Sequence, residues 1–188
     1  MFPSPLFQTF AAVVPDAPDL PLSPVCIFDE PLSVAREATY CCPSCGDIVV
    51  PRQGAGQPDH FEHQSGTTCP RAAEESLRWA AKQLIVADEA IALPSGERGP
   101  LADCRADVPY EGLLVDIEGT WLRSRRIAIM VTIDEGLDRE RLAALARLAV
   151  SSMHIRLSVH ARARWDWDTL RREALYNPDN RSWIATPY

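Results

Sequence analysis

Cysteine and histidine side chains in the first half of the chain have the types and the spacing of metal ligands. Cys42 and Cys45 form a C-x2-C pair, His60 and His63 follow in the segment HFEH, and Cys69 comes last. Thiolate and imidazole groups are the ligands that Zn²⁺ takes in a tetrahedral arrangement, and a hairpin joins two short-range pairs at little entropic cost. The pattern therefore predicts a zinc-binding module.

Four of these five side chains are enough for a zinc ion. We favour Cys42, Cys45, His63 and Cys69, with His60 as the alternate to His63. Both histidines could instead ligate, which would leave Cys69 as a core thiol. Four protein ligands leave no position open for water, so the predicted role of the zinc is structural.

Acidic residues further along the chain suit a second kind of chemistry. Asp107 lies in a predicted strand, and Asp116 and Glu118 lie two positions apart in the next one. Metal-dependent phosphodiester hydrolysis needs Mg²⁺ or Mn²⁺ on carboxylate oxygens and a cationic group that stabilises developing charge. Residues two apart in a strand project from the same face, so Asp116 and Glu118 could share a metal with Asp107.

A structural interpretation of Asp116 and Glu118 is also available. The two residues alternate with Val115 and Ile117, as they would on the solvent-exposed face of an edge hairpin. We favour this second interpretation over a catalytic one.

The elements that would position these residues follow from periodicity. A proline-rich arm over 1–37 precedes a zinc-binding module over 38–70, and an α/β domain with a C-terminal helix fills 71–188. Within that domain, Leu77, Ala81, Leu84 and Ile85 form the apolar stripe of a helix. The other predicted elements are strands over 25–28, 101–109, 112–118, 126–133 and 154–159, an amphipathic helix starting near Leu137, and a last helix over about 166–176.

Composition limits the classes of function. The 188 residues suffice for one core with a small module, and no apolar run is long enough to span a bilayer. The start lacks the basic segment of a signal peptide, and six cysteines with a C-x2-C pair indicate metal binding in a reducing compartment, so we expect a cytoplasmic protein without a membrane partner. Residues 1–120 carry 7 basic and 18 acidic residues, a balance of −11, and residues 121–188 carry 12 and 8, a balance of +4.

Several of these motifs together resemble the competence protein CoiA-like family, in which a zinc finger precedes a nuclease domain of the PD-(D/E)xK type. The resemblance covers about 120 residues, and its pieces occur in family order. They are CPSC (42–45), HFEH (60–63), Cys69, ESLRWAAK (75–82), RADV (105–108) and IAIMVTI (127–133), followed by a helix and HIRLS (154–158). The resemblance implies an α+β fold, with a small zinc hairpin module and a restriction-endonuclease-like αβββαβ core.

The chain departs from the family pattern where catalysis would occur. Glu75 and Lys82 match the helix motif, and Asp107 matches the metal-binding Asp, but Trp79 stands at the position of a histidine. The glutamate of the following strand falls on Ala128, or on Met130 in a shifted register, and neither side chain can ligate a hard cation. The resemblance therefore implies a nuclease-like protein with an incomplete site.

Three functions follow as hypotheses. The first is a zinc-containing, catalytically degenerate nuclease-like protein that binds nucleic acid or a nucleoprotein complex. The second is an active metal-dependent nuclease that uses Asp107, Asp116 and Glu118 with Mg²⁺ or Mn²⁺, a cluster that Glu75 from the helix could join. The third is an acidic inhibitor or adaptor that binds a protein partner with a basic surface, which the balance of −11 over residues 1–120 motivates.

Overall fold

The computed structural model describes residues 7–29, 37–54, 56–67, 69–110, 112–160 and 164–186. Within these ranges the chain forms two compact units. Unit 1 comprises the described residues of Met1–Ala80 and Val159–Thr169, and unit 2 those of Ala81–Ser158 and Leu170–Tyr188.

Unit 1 is built on a five-stranded antiparallel sheet. Its strands are Phe10–Val14 (β1), Ser23–Cys26 (β2), Thr39–Cys41 (β3), Ile48–Arg52 (β4) and His60–His63 (β5). They lie in the order β2-β1-β3-β4-β5. The apolar core beside the sheet contains Tyr40, Val49 and Phe61, and the Tyr40 and Phe61 ring centroids are 5.1 Å apart. This core fixes the strands that carry the Cys and His residues.

The proline-rich segment differs from the predicted arm. Strands β1 and β2 belong to the same sheet as β3 to β5, and β1 pairs directly with β3. Phe10, Ala11 and Val25 are buried, so hydrophobic burial holds this segment in the sheet despite its prolines. Residues 1–6 and 30–36 of the predicted arm lie outside the described residues.

Unit 2 is built on a six-stranded mixed sheet. Its strands are Ala90–Ala92 (β6), Arg98–Tyr110 (β7), Leu113–Trp121 (β8), Arg125–Ile133 (β9), Ser151–Leu157 (β10) and Arg181–Ala185 (β11). They lie in the order β11-β10-β9-β8-β7-β6, and β9 and β10 are parallel while the other neighbours are antiparallel. The segment between β9 and β10 contains the helix Arg139–Ala146. Parallel neighbours need a long crossover connection of this kind.

The α-helices within the described ranges are Ala72–Asp88 (α1), Arg139–Ala146 (α2) and Trp167–Arg171 (α3). Helix α1 has Glu74 and Glu75 in its first turn, where carboxylates interact favourably with the helix dipole. The carboxylate of Asp138 caps α2 by accepting a hydrogen bond from the Arg141 N–H at 2.8 Å. Across the described part of the chain, every helix is too short or too polar to cross a membrane.

The structure confirms the predicted α+β class. The predicted helix, three strands, helix and strand occur in that order, with the short strand β6 added between α1 and the first of the three strands. All four residues of the predicted apolar stripe are buried. The predicted strand over 154–159 instead spans Ser151–Leu157, and the last helix divides into α3 and a π-helical turn at Arg172–Tyr176. Strands β6 and β11 carry no strong sequence pattern. They form because they pair with β7 and β10, respectively.

Arg181 holds the C-terminal part of unit 2 together. Its buried guanidinium group donates hydrogen bonds to five backbone carbonyl oxygens, including that of Ala92 in β6 at 2.7 Å. The others belong to Glu173, Ala174, Leu175 and Asn177, around the π-helical turn. Burial lowers the pKa of Arg181 to about 10, so the side chain stays charged at neutral pH. One cation therefore supplies hydrogen bonds to several carbonyl groups in the interior of unit 2.

We expect Arg181→Met to lower the free energy of unfolding by about 3 kcal/mol, because it removes these hydrogen bonds from the interior of unit 2. Arg141→Met is the matched control. The Arg141 side chain is 54% exposed and pairs with Asp138, which is 60% exposed, so its loss should cost less than about 0.5 kcal/mol. Urea titration followed by tryptophan fluorescence measures both changes, and equal losses would contradict the role given to Arg181.

Candidate functional site

The turn between β3 and β4 positions the first two cysteines. Gly46 has a φ of +77°, which a residue without a Cβ adopts readily. Its N–H donates to the carbonyl oxygen of Cys42 at 2.8 Å, and the Cys42 N–H donates to that of Asp47 at 2.9 Å. These two backbone hydrogen bonds close the turn, so that Cys42 and Cys45 lie on the same side of it.

Two further side chains complete a Cys/His cluster. His63 is the last residue of β5, and Cys69 precedes α1, where its carbonyl oxygen accepts from the Ala72 N–H at 3.0 Å. The ligand atoms of Cys42, Cys45, His63 and Cys69 all lie within 4.8 Å of one another. Cys45 Sγ is 3.2 Å from His63 Nε2. These are the four residues favoured from the sequence.

His60, the alternate ligand, lies apart from this cluster. Successive side chains of a strand point to opposite faces, so residues three apart, as His60 and His63 are in β5, project in opposite directions. The His60 ring contacts Phe7 with centroids 4.3 Å apart, and its Nδ1 is 2.8 Å from the carbonyl oxygen of Pro58. The strand geometry therefore brings one histidine of HFEH to the cysteines.

The donor set and its spacing fit a tetrahedral metal ion. Zinc–sulfur bonds of about 2.3 Å and zinc–nitrogen bonds of about 2.0 Å place the ligand atoms about 3.3 to 3.8 Å from one another. The 4.8 Å limit of the cluster is close to this size and needs only small side-chain adjustments. Among the described residues, no other group of three or more His, Cys, Asp or Glu side chains converges in this way. The Cys/His cluster could thus hold a metal ion such as zinc.

Three of the residues predicted for nuclease chemistry meet in unit 2. The Lys82 ammonium group forms an ion pair with the Asp107 carboxylate and lies 3.7 Å from Asp116 Oδ1. Asp116 Oδ2 accepts a hydrogen bond from the backbone N–H of Val131 at 2.8 Å. Lys82 and Asp116 are buried, whereas the Asp107 side chain is 54% exposed. A buried carboxylate thus has a cation and a backbone donor as partners.

The backbone at Asp107 departs from regular strand geometry. Asp107 has a φ of +53° within β7, a conformation that aspartate tolerates better than most residues with a side chain. Asp103, with a φ of +54°, lies in the same strand where the register with β8 shifts by one residue. Irregular positions of this kind re-aim side chains and occur often beside functional sites.

Glu118 has a separate set of partners. Its Oε1 accepts from Arg105 at 2.9 Å and its Oε2 from Arg126 at 2.8 Å, and the Tyr110 hydroxyl also donates to Oε2. Burial raises the pKa of the Glu118 carboxyl, but the hydrogen bonds from Tyr110, Arg126 and Arg105 outweigh it and hold the pKa below its usual value. Burial and the bond to Glu118 raise the pKa of Tyr110. Glu118 is therefore a carboxylate neutralised by protein groups.

The prediction that Asp116 and Glu118 face solvent is wrong. Asp116 is 0% exposed and Glu118 is 5% exposed, because β8 is an interior strand between β7 and β9. Both carboxylates are ion-paired, as buried charges require.

The remaining residues of the predicted nuclease pattern have other surroundings. Ala128 and Met130 are buried in an apolar cluster with Val115. In unit 1, Glu75 pairs with Arg71 at 3.2 Å and with Arg78 at 3.5 Å.

Other polar residues of unit 2 escaped the sequence-based prediction. Arg105 lies directly opposite Glu118, a pairing that counting back from the β7–β8 turn would have given. His154 is 2.8 Å from Thr132 Oγ1, and burial and the charge of Arg156 lower its pKa. No short-range pattern indicates that contact, because the parallel pairing of β9 and β10 creates it.

Comparison with known proteins gives one match. Residues 29–72 match the family model described as Competence protein CoiA, N-terminal domain, and this range contains all four residues of the Cys/His cluster. The matched range is under a quarter of the 188-residue chain. Neither the curated proteins nor the solved structures yield a match. Over that range, the chain is similar to the N-terminal domain of competence protein CoiA.

We expect His63→Ala to lose bound metal and His60→Ala to retain it, since only His63 reaches the three cysteines. Cys42→Ser and Cys41→Ser form a second matched pair, in which only the first removes a member of the cluster. Elemental analysis of the purified variants should give one zinc per chain for His60→Ala and Cys41→Ser, and much less for the other two. Equal zinc content in both members of a pair would contradict this ligand set.

The lowered pKa of Glu118 predicts how its contribution to stability varies with pH. A carboxyl whose folded pKa lies below its unfolded value stabilises the protein above the unfolded pKa, and this stabilisation is lost as pH falls through the folded pKa. Replacing Glu118 with Gln should therefore lower the free energy of unfolding at neutral pH. The difference from the parent protein should shrink below the ordinary value of 4.5. A difference independent of pH in unfolding titrations would contradict this assignment.

Proposed function

We propose that this chain is a zinc-containing, nuclease-like protein that binds nucleic acid, or a nucleoprotein complex, without cleaving it. Cys42, Cys45, His63 and Cys69 would hold a zinc ion that stabilises the sheet of unit 1. The observation that carries the proposal is the pairing of Asp107, Asp116 and Glu118 with cationic side chains of the protein itself.

The partners of Asp116 argue against a catalytic magnesium site. Mg²⁺ needs nearly octahedral oxygen ligands and is usually held by one or two carboxylates in addition to substrate phosphate. One oxygen of Asp116 accepts from the Val131 N–H, and the other faces Lys82. The Lys82 ammonium group pairs with both aspartates, so a divalent ion would have to displace a buried cation.

The other positions of the nuclease pattern support the same conclusion. Both oxygens of Glu118 are bound by arginines, and the glutamate position of the family strand is occupied by Ala128 or Met130. Apolar side chains buried against Val115 provide no oxygen ligand for a hard cation. We conclude that the carboxylates support the fold of unit 2 and do not assemble a metal site.

Binding to nucleic acid draws its support from the basic C-terminal part of the chain. Residues 121–188 carry a balance of +4, with arginine as their only basic residue type. Exposed arginine side chains suit phosphate groups because a guanidinium group can donate two parallel hydrogen bonds.

One observation favours an active nuclease as the second candidate. Asp107 and Asp116 lie on neighbouring strands, and both contact Lys82, a set of residue types that metal-dependent nucleases use. Displacement of Lys82 by a metal ion and a phosphate would turn this ion-paired cluster into a catalytic one.

A combined binding and cleavage assay tests the proposal. We expect fluorescence anisotropy to detect binding of labelled single- or double-stranded DNA or RNA, with affinity that falls as salt rises. We also expect no cleavage with Mg²⁺ or Mn²⁺ beyond the level of an Asp107→Asn variant. Asp107 is the suitable position, because its side chain is half-exposed and asparagine tolerates the positive φ there.

Two outcomes would overturn the proposal. Metal-dependent cleavage that Asp107→Asn and Asp116→Asn both abolish would establish the nuclease. Absence of binding to any of the nucleic acids would remove the binding function, and capture of a basic protein that persists after nuclease treatment would then establish the acidic adaptor. Circular dichroism of the same samples shows that the fold is retained.

A further inference from the structure

A pair of arginines on the sheet of unit 2 is held side by side by one buried carboxylate. Arg105 lies on β7 directly opposite Glu118 on β8, and Arg126 lies on β9, the strand on the other side of β8. Each guanidinium group contacts a different oxygen of Glu118, at 2.9 and 2.8 Å. The Glu118 side chain is 6% exposed. We call this buried carboxylate the anchor, because it is fixed in the sheet while the two arginine side chains extend towards the surface.

Most of the donor capacity of these arginines remains available. A guanidinium group has five N–H donors. Arg105 uses Nη2 on Glu118, and Arg126 uses Nη2 on Glu118 and on the Tyr110 hydroxyl at 3.0 Å. Within the described residues, the Nε and Nη1 atoms of both arginines have no hydrogen-bond acceptor. Their side chains are 67% and 56% exposed, so these donors are accessible to a ligand.

The arginines line a surface cavity of about 460 Å³ with Gly119 and Thr120. Two guanidinium charges against one carboxylate leave a balance of +1 at the anchor, which matches the single negative charge of a phosphodiester. Asp103 also lines the cavity and is exposed, and its charge opposes an anion there.

We propose that Arg105 and Arg126, preorganised by Glu118, bind one phosphate of the nucleic-acid backbone. This inference rests on the proposed function and assigns it a contact site. Arginine suits the role because its planar donor pair matches two phosphate oxygens. The buried carboxylate orients both side chains before binding and so reduces the entropic cost of binding the ligand. Contacts of this kind position the protein on nucleic acid and carry no sequence preference.

Salt-dependent binding of labelled oligonucleotides tests the phosphate contact. We expect Arg105→Ala and Arg126→Ala each to weaken binding about fivefold to tenfold at moderate salt, equally for different sequences. The slope of log affinity against log salt should become shallower by about 0.7 on single strands or about 0.9 on duplexes, because the variant neutralises one phosphate fewer. The double Arg→Lys variant keeps the charges, so its slope should stay near that of the parent while its affinity falls.

Two matched variants separate a specific site from a general charge effect. Arg52→Ala removes an arginine from strand β4 that is 57% exposed and paired with Glu62, and it should leave the affinity and slope unchanged. Asp103→Asn removes the opposing charge of the cavity and should strengthen binding about twofold to threefold. Asparagine is the suitable replacement, because it tolerates the positive φ at this position.

The outcomes distinguish this inference from the function on which it rests. If the parent protein binds and the two alanine variants bind equally well, or Arg52→Ala weakens binding as much, the phosphate contact is overturned and the binding function stands. If the parent protein binds no nucleic acid, both are overturned. Inorganic phosphate that competes as well as an oligonucleotide of equal phosphate content would assign the cavity to a free anion and overturn the backbone contact. Circular dichroism of each variant shows that the fold is retained.

Discussion

The sheet of unit 2 depends on the pairing of carboxylates buried in its interior strand β8. Asp116 and Glu118 are removed from water, and an ionised carboxylate in such a place is stable only with cations and hydrogen-bond donors around it. Lys82 supplies the charge for Asp116, and Arg105 and Arg126 supply it for Glu118. Ion pairs thus link β7, β8 and β9 in addition to the backbone hydrogen bonds of the sheet, and Lys82 links α1 to β8.

The same requirement gives the carboxylates predicted for nuclease chemistry partners within the protein itself. The backbone N–H of Val131 donates to Asp116, and Arg105 and Arg126 donate to Glu118. The Lys82 ammonium group lies between Asp107 and Asp116 and supplies a positive charge to both. The ion pairs of these carboxylates therefore join neighbouring elements of unit 2.

In unit 1 the corresponding constraint is the geometry of a strand and a turn. Gly46 closes the turn that pairs Cys42 with Cys45, and the alternation of β5 selects His63 over His60. Such a small module has little apolar surface to bury, so cross-linking by a metal ion is an effective source of stability. The match of residues 29–72 to the N-terminal domain of competence protein CoiA covers this part of the chain.

The sequence by itself determined the α+β class, the order of the main elements of unit 2 and the set of Cys and His residues from which the cluster is drawn, because these depend on short-range spacing and periodicity. The choice of His63 over His60 was decided by the strand geometry of β5. Contacts between residues distant in the chain were decided only by the tertiary structure. The inclusion of β1 and β2 in the sheet of unit 1 depends on burial of Phe10 and Val25, which outweighs the proline content. The surroundings of Asp116 and Glu118 depend on β8 being an interior strand. A strand on an edge hairpin and an interior strand whose polar face is ion-paired have the same alternating pattern of polar and apolar residues. The sequence pattern therefore does not distinguish the two positions.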